Sequence, residues 1–473
     1  MAKTAPPPLD QVDPVKAWQP WEPDAANPWN LKWAGHLYRR AGFGATLAEQ
    51  RQAVKEGLDA TFDRLFRTDA EAEERYQFLS LNGQRVAAQN NPSQLRGWWV
   101  YTMLNTLQPA REKMGLFWHN HFATSIAKVQ RAPLMYGQNR LLRQYALGKF
   151  GPFLMEMSKD PAMLIWLDSN SNVKSHPNEN FAREVMELFS LGVGNYTEKD
   201  IREAARAFTG WHTDGDQYDF NKNYHDFGEK TVLGQTGNWN GDDIVRILLE
   251  QPAASRFLVR KLYFYLISEA EVPPATLIEP LAAQLRKSDY DIGQLVKTML
   301  RSQHFFSDYA YRQRIKSPVE FILGAVKAVG QGFVTPGSVV PSLERMGMPL
   351  FAPPNVKGWP FGKAWLNTAT VLTRANFAQQ LSSGTGQLNL SDPSATVAVA
   401  VDPSALLRLE KISEPPQVVS FLVDLLLQGD TTAPERDRLT AFVAAGKPDG
   451  PAMDQRVRET VHSIMTMPEY QLA

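Results

Sequence analysis

The chain contains no cysteine among its 473 residues. That absence excludes disulfide bonds, a cysteine nucleophile, cysteine-ligated zinc, iron–sulfur clusters and covalent c-type haem. A transition-metal site would therefore have to use histidine and carboxylate ligands, and the sequence has only eight histidines. The absence does not indicate a compartment, because a chain without thiols suits the cytosol and the periplasm equally.

The sequence also lacks an excess of either charge, and it lacks long apolar runs. Fifty basic side chains balance fifty acidic ones, so no overall field favours a nucleic-acid partner. The first thirty residues contain no apolar segment of the kind that a signal peptide needs. The most apolar run, FLVRKLYFYLI, is interrupted by Arg260 and Lys261 and is too short to span a bilayer. We therefore expect a soluble protein with no transmembrane segment and no nucleic-acid partner.

Several common enzyme motifs are missing as well. The sequence has no G-x-G-x-x-G fingerprint, Walker A loop, G-x-S-x-G elbow or H-E-x-x-H pair. These gaps argue against a dinucleotide enzyme, a P-loop NTPase, an α/β-hydrolase and a zincin. We expect no NAD.

Helical periodicity dominates the chain and predicts a mainly α-helical fold. We expect an extended Pro- and Trp-rich arm at 1–30, a main helical domain at 31–381, a linker at 382–404 and a helical C-terminal subdomain at 405–473. Thr46 and Glu49 have the spacing of a capping box, which predicts the start of a helix over the following LAEQRQAVKEGLDATFDRLF.

Strand signals are sparse. The best are YDFNKN and KTVLG, which flank a polar turn and predict one small β-hairpin inserted in the main domain.

The segment FWHNHFATS places His119 and His121 one residue apart in an aromatic frame. If the preceding helix continues through residue 122, the two imidazoles cannot share one ion; if it ends near Trp118, an extended backbone puts both on one side, as a chelating pair requires. The alternative is that both are core or interface histidines.

Two glutamates lie on the helix predicted at 179–191. Glu184 falls within the apolar stripe of a 100° wheel and Glu187 at its edge, so we expect Glu184 to lie inside the protein, as a carboxylate that needs a partner. Such a carboxylate is a metal ligand or a general acid or base. The alternative is a structural role, with an Arg183–Glu187 pair and a carboxylate that caps another helix or meets a buried arginine. In the functional interpretation Arg183 is instead a candidate for binding a substrate.

Two further segments carry candidate residues. His225, Asp226 and Lys230 lie in a glycine-containing loop beside the expected hairpin, where they are either catalytic or part of an Asp-assisted turn. Trp359 and Trp365 lie in a loop rich in proline and glycine, where they either stack on a sugar ring or seal the core.

Six segments in this order resemble the bacterial family catalogued as domain of unknown function 1800. They are HLYRRAGFG, FWHNHFATS, AMLIWLD, NENFAREVMELFSLGVGNYTEKDIREAARAFTGW, HDFGEKTVLG and PPNVKGWPFGKAWLN, spread over 36–377. The resemblance implies a largely helical protein exported to the periplasm or beyond, with a protein of the domain of unknown function 1501 family as a possible partner. It brings no established reaction, cofactor or catalytic residue. The missing leader leaves a cytoplasmic location open.

Three functional hypotheses follow. The first is a metal-dependent enzyme of the bacterial envelope, hydrolytic or oxidative, in which His119, His121, Glu184 and Glu187 hold one divalent ion and a spare carboxylate or His225 moves a proton. The second is a metal-free enzyme that uses Glu184 as an acid or base, with Lys230 or Arg183 stabilising charge. The third is a non-catalytic scaffold that binds a glycan or a protein.

Overall fold

The computed structural model describes residues 8–329, 336–383 and 402–473. The fold is mainly α-helical, as the periodicity predicts. The helices are α1 Pro14–Ala17, α2 Leu31–Ala41, α3 Leu47–Glu56, α4 Leu58–Leu65, α5 Ala70–Ala87, α6 Pro92–Asn105, α7 Pro109–His121, α8 Ile126–Val129, α9 Ala132–Gln144, α10 Phe150–Ser158, α11 Pro161–Trp166, α12 Glu179–Glu184, α13 Glu198–Ala207, α14 Gly241–Leu249, α15 Pro252–Leu266, α16 Ala275–Lys287, α17 Ile292–Arg301, α18 Pro318–Val329, α19 Pro336–Arg345, α20 Thr368–Ser382, α21 Pro403–Leu409, α22 Pro415–Leu427, α23 Ala433–Ala444, α24 Gly450–Thr466 and α25 Pro468–Gln471.

Other helical turns are short. The 3-10 segments are Leu9–Gln11, Ser169–Ser171 and Gly362–Trp365, and a π-helix, Val185–Ser190, continues α12. No helix in the described ranges is both long and apolar enough to cross a lipid bilayer.

Helix starts follow the local sequence closely. The Thr46–Glu49 capping box is confirmed, with the Thr46 amide donating to Glu49 and the Glu49 amide to Thr46. The single helix expected after it is wrong. Gly57 adopts a φ of 90°, which L side chains avoid, and it divides the segment into α3 and α4.

The β-structure consists of two antiparallel hairpins in the described chain. Strand β1, Trp211–Asp214, pairs with β2, Gln217–Phe220, and β3, Lys230–Val232, pairs with β4, Gln235–Gly237. The predicted strand segments both exist, but each pairs with a close neighbour instead of with the other. Short turns at Gly215 and Gly234, both with positive φ, close the hairpins locally.

Two hydrophobic cores lie on either side of α7. The first core is centred on Trp118, Phe122, Phe150, Phe153 and Phe189 and also receives the N-terminal arm through Trp18 and Trp21. The second core is centred on Trp99, Phe351, Trp359, Leu422 and Val461, which come from both sides of the predicted linker. The helices of 405–473 therefore share this core with α6 and with the segment around 351–359. Most of the linker, 384–401, lies outside the described residues.

A buried ion pair fixes α7 against α9. The Arg143 guanidinium donates to Glu112 through Nε at 2.7 Å, and both side chains are fully buried. The indole of Trp99 donates to the other carboxylate oxygen at 3.3 Å. Because neither charge reaches water, each depends on the other.

We expect Arg143→Met to lower the free energy of unfolding by about 3–5 kcal/mol, since it leaves Glu112 charged and unpaired in the core. The double variant Glu112→Leu/Arg143→Met removes both charges and should recover much of that loss. Urea unfolding followed by circular dichroism measures both. Equal losses in the single and double variants would show that packing, not the unpaired charge, sets the cost.

Candidate functional site

Three consecutive polar residues end α7 and connect it to two other segments. Because α7 continues through His121, the side chains of His119 and His121 leave the helix in directions about 200° apart. His119 packs among residues of the second core, against Trp99, Phe351 and Trp359. His121 packs among Phe122, Phe150 and Phe189 of the first core.

His119 holds the backbone of the 351–367 loop. Its Nε2 accepts a hydrogen bond from the Phe351 amide at 3.1 Å, which requires a neutral ring protonated at Nδ1. Burial lowers the pKa of His119 to about 3, so the ring stays neutral at ordinary pH.

Asn120 holds the same loop eight residues further on. Its Oδ1 accepts from the Trp359 amide at 2.6 Å. Gly358 packs directly on Asn120 with a φ of 85°, and a Cβ there would collide with the asparagine. A close backbone approach thus explains the glycine at this position.

His121 holds the π-helix. Its Nε2 lies 3.0 Å from the Phe189 carbonyl oxygen, and only a ring that carries its proton on Nε2 can donate there. Burial, followed by the nearby charge of Lys261, lowers the pKa of His121 well below its ordinary value. His119 and His121 are therefore opposite tautomers that hold different segments. The chelating pair does not form, and no group of three or more His, Asp or Glu side chains in the described ranges could hold a metal ion.

Glu184 and Glu187 lie one turn apart where α12 becomes the π-helix, and both are half-buried. Glu187 accepts a hydrogen bond from the Tyr196 hydroxyl at 2.8 Å. Glu184 makes no hydrogen bond or ion pair with any described residue. Burial, followed by the charge of Glu187, raises the pKa of Glu184, whereas Arg183 and Lys357 act in the opposite direction.

The helical-wheel prediction assumed that residues 179–191 form one continuous α-helix. The wider turn of the π-helix rotates the residues after Glu184 relative to that wheel. Glu184 is consequently half-buried beside Glu187 instead of lying inside the core. Bulges of this type are frequent at functional sites.

Arg183 does not pair with Glu187. Its guanidinium donates to Glu179 at 3.0 Å and to Glu198 at 2.9 and 2.8 Å. The Arg183–Glu187 pair of the structural alternative does not form, because Glu179 of α12 and Glu198 at the start of α13 accept from the guanidinium instead.

The loop with His225, Asp226 and Lys230 forms a separate cluster of internal hydrogen bonds. His225 Nδ1 lies 2.8 Å from the Thr209 carbonyl oxygen, and Lys230 Nζ donates to the Asp226 carbonyl at 2.5 Å. The Asp226 carboxylate accepts from Arg206 Nε at 2.7 Å. No hydrogen bond or ion pair within the described ranges joins this cluster to Glu184 or Glu187. Its polar groups shape the loop and the end of α13.

Both tryptophans of the 351–367 loop are in the interior. Trp359 is 2% exposed and Trp365 is 4% exposed. In this structure the indoles seal the second core, and neither presents a face for a sugar ring.

Lys261 is a candidate that the sequence reasoning treated only as an interruption of an apolar run. It lines an open cavity of about 360 Å³ together with Gly192, Arg260 and Phe257. Burial lowers the pKa of Lys261 to about 7, and its amine makes no hydrogen bond or ion pair within the described chain. A signal was present in the sequence, because adjacent cations in an otherwise apolar helix require a reason.

Residues 36–472 match the model of one protein family, described as protein of unknown function (DUF1800). The chain belongs to this family. No curated protein and no solved structure matches it. The match extends from α2 to the end of α25, so it includes the α7 end, the π-helix and the Lys261 cavity.

The neutral state of His119 predicts a pH dependence of stability. The folded pKa of about 3 lies below the ordinary value of 6.5, so the unfolded chain binds the proton more readily. The contribution of His119 to stability is complete above pH 6.5 and is lost as the pH falls toward 3. In His119→Gln, which keeps an acceptor for the Phe351 amide, stability should fall less between these two pH values.

Urea unfolding at a series of pH values measures this difference. The control is His176→Gln, at an exposed histidine. An unchanged pH dependence in His119→Gln would mean that the buried ring is not neutral in the folded state.

Asn120→Ala should loosen the 351–367 loop, because the Trp359 amide loses its acceptor. We expect a loss of about 1–2 kcal/mol in stability and faster hydrogen exchange of that amide. Asn120→Asp keeps an acceptor oxygen and serves as the control. Equal exchange in wild type and Asn120→Ala would show that other contacts hold the loop.

Proposed function

We propose that this protein is a metal-free acid–base enzyme in which Glu184 and Glu187 transfer protons during hydrolysis. The observation that carries the proposal is the unequal setting of two neighbouring carboxyl groups: a described residue donates a hydrogen bond to Glu187, and none does so to Glu184. Pairs of titratable groups whose surroundings separate their pKa values are suited to opposite roles in proton transfer.

The two roles follow from the surroundings. The Tyr196 hydroxyl, 2.8 Å away, donates a hydrogen bond to the Glu187 carboxylate. Burial and the charge of Glu187 favour the protonated form of Glu184. Glu184 is then the general acid that protonates the leaving group, and Glu187 is the base that takes a proton from the attacking water. Solvent returns the Glu184 proton and removes the one on Glu187 after each turnover.

The 351–367 loop adds a positive charge to this site. Lys357 lies close enough to Glu184 to lower its pKa, although burial and Glu187 outweigh that effect. The loop is held at Phe351 by His119 and at Trp359 by Asn120, on either side of Lys357. The lysine is thus in a position to stabilise negative charge that develops on a substrate.

The metal-dependent alternative would need other ligands than those expected. Each histidine uses Nε2 for a backbone group, on opposite sides of α7. The two glutamates provide carboxylates alone, which suit Mg²⁺ or Ca²⁺ better than zinc or copper. A chelator separates the two mechanisms.

We also propose a location and a substrate class for this protein. The family resemblance favours a bacterial envelope protein, for which a glycan-like or peptide-like polymer is the natural substrate. A protein of the domain of unknown function 1501 family is a proposed partner.

The experiment has two readouts. Infrared spectra of wild type and Glu184→Gln, recorded between about pH 3 and pH 8, should differ by one carboxyl group that titrates above the ordinary glutamate range. Chelator-treated protein is then assayed on nitrophenyl glycosides, nitrophenyl esters and peptide anilides. Glu184→Gln should lower kcat by about 10²–10⁴-fold on any substrate that is turned over, with an unchanged melting temperature.

Glu179→Gln is the matched control, since Glu179 is on the same helix and binds only Arg183. Tyr196→Phe should lower kcat on the same substrates, because the Glu187 carboxylate loses its hydrogen-bond donor. Full activity in Glu184→Gln with loss of activity in Lys261→Met would move the site to the Lys261 cavity. Activity that requires an added divalent ion would establish the metal-dependent alternative.

A further inference from the structure

The segment HLYRRAGFG is not part of the site described above, yet it lines a second cavity. Together with Lys316 and Glu320, Arg39, Phe43 and Gly44 of this segment line a small cavity of about 30 Å³ that is partly open to solvent. Gly44, with a φ of 88°, lies against the backbone of Gly324, and a Cβ there would be 3.2 Å from the Gly324 Cα. The backbones of two segments thus meet at the cavity wall.

The side chains at and around this cavity carry an excess of positive charge. Two carboxylates, Glu269 and Glu320, form ion pairs with Lys113 and Arg314. Four further cations make no ion pair with any carboxylate in the described chain: Arg39, Arg40, Lys316 and Arg374. Arg40 donates to the backbone oxygens of Ala310 and Ala473, at 2.6 and 2.9 Å, and not to a side-chain carboxylate.

Several donor atoms of these side chains have no hydrogen-bond acceptor among the described residues. Lys316 is 6% exposed and lines the cavity; its amine lies 3.7 Å from the centre of the Tyr470 ring and makes no hydrogen bond or ion pair in the described chain. Arg40 is fully buried and donates through Nη2 to two backbone oxygens, whereas its Nε and Nη1 have no acceptor in the described ranges. Burial and the surrounding arginines lower the pKa of Lys316 well below its ordinary value. Unpaired buried cations are costly, and an anion at this position would offset that cost.

We propose that the cavity between Arg39, Lys316 and Gly44 binds a compact oxyanion, either inorganic phosphate or the carboxylate of a small acid. Lys316 supplies the amine that contacts the anion, and the Arg39 guanidinium, whose Nε has no partner, supplies further donors. The site is separate from Glu184 and does not depend on the proposed acid–base chemistry.

The test is calorimetric titration of the full-length protein at constant ionic strength, with chloride as the background anion. Inorganic phosphate and acetate are titrated separately, so that the two arms distinguish a phosphate site from a carboxylate site. We expect saturable binding of one of them at about one per chain. Native mass spectra of the same samples detect an anion that stays bound through purification.

Lys316→Met keeps most of the unbranched side chain and removes the amine. It should weaken binding at least about tenfold, and Arg39→Gln should do the same if Lys316→Met fails to fold. Lys149→Met, at a half-exposed surface lysine paired with Asp289, is the matched control. Equal binding by wild type and Lys316→Met, or no saturable binding and no retained anion, would overturn the proposal.

Discussion

The end of α7 is the constraint on which the candidate site depends. His119, Asn120 and His121 follow one another in sequence and bind Phe351, Trp359 and Phe189 respectively. Consecutive positions on a helix point in different directions, so one short segment can connect the second core, the 351–367 loop and the π-helix. Two of these hydrogen bonds hold the loop that carries Lys357, and the third holds the π-helix that follows Glu184.

The two histidines have a structural function for a reason that is specific to imidazole. A neutral ring has one donor and one acceptor, and the environment selects which nitrogen carries the proton. His119 accepts through Nε2 and His121 donates through Nε2, so the same residue type satisfies an amide in one core and a carbonyl in the other. Burial keeps both rings uncharged, and an apolar position suits that state.

Helix type and approximate helix position could be predicted because periodicity and capping are local properties. The Thr46–Glu49 box and the helix near 179–190 illustrate this, as does the failure at Gly57, where a positive φ broke a periodic pattern. The strand segments were also visible, whereas their pairing was not. Each hairpin is closed by a two-residue turn, which pairs the strand with its close neighbour in sequence. The sequences of these partner strands show only a weak strand pattern.

The candidate site was predictable only in part. Glu184 and Glu187 were identified because a carboxylate in an apolar stripe is unusual. Tyr196, Lys357 and Asn120 were not, since their roles depend on contacts between segments that are distant along the chain. The tautomers of His119 and His121 depend on backbone groups, which no side-chain pattern reveals.

The polar residues of this chain separate into two groups when each donor and acceptor is followed to its partner. The side chains of His225, Asp226 and Lys230 form hydrogen bonds with neighbouring backbone or side-chain groups. These polar groups therefore hold the local structure. Glu184, Lys261 and Lys316 are at least half-buried and have no hydrogen-bond partner among the described residues, and burial shifts the pKa of each away from its charged form. A stable fold tolerates such groups at a cost of several kcal/mol for each buried charge. A functional role is the most direct reason for a chain to retain buried groups of this kind. Glu184 and Lys316 are therefore stronger candidates for function than His119 and His121, whose Nε2 atoms bind backbone groups.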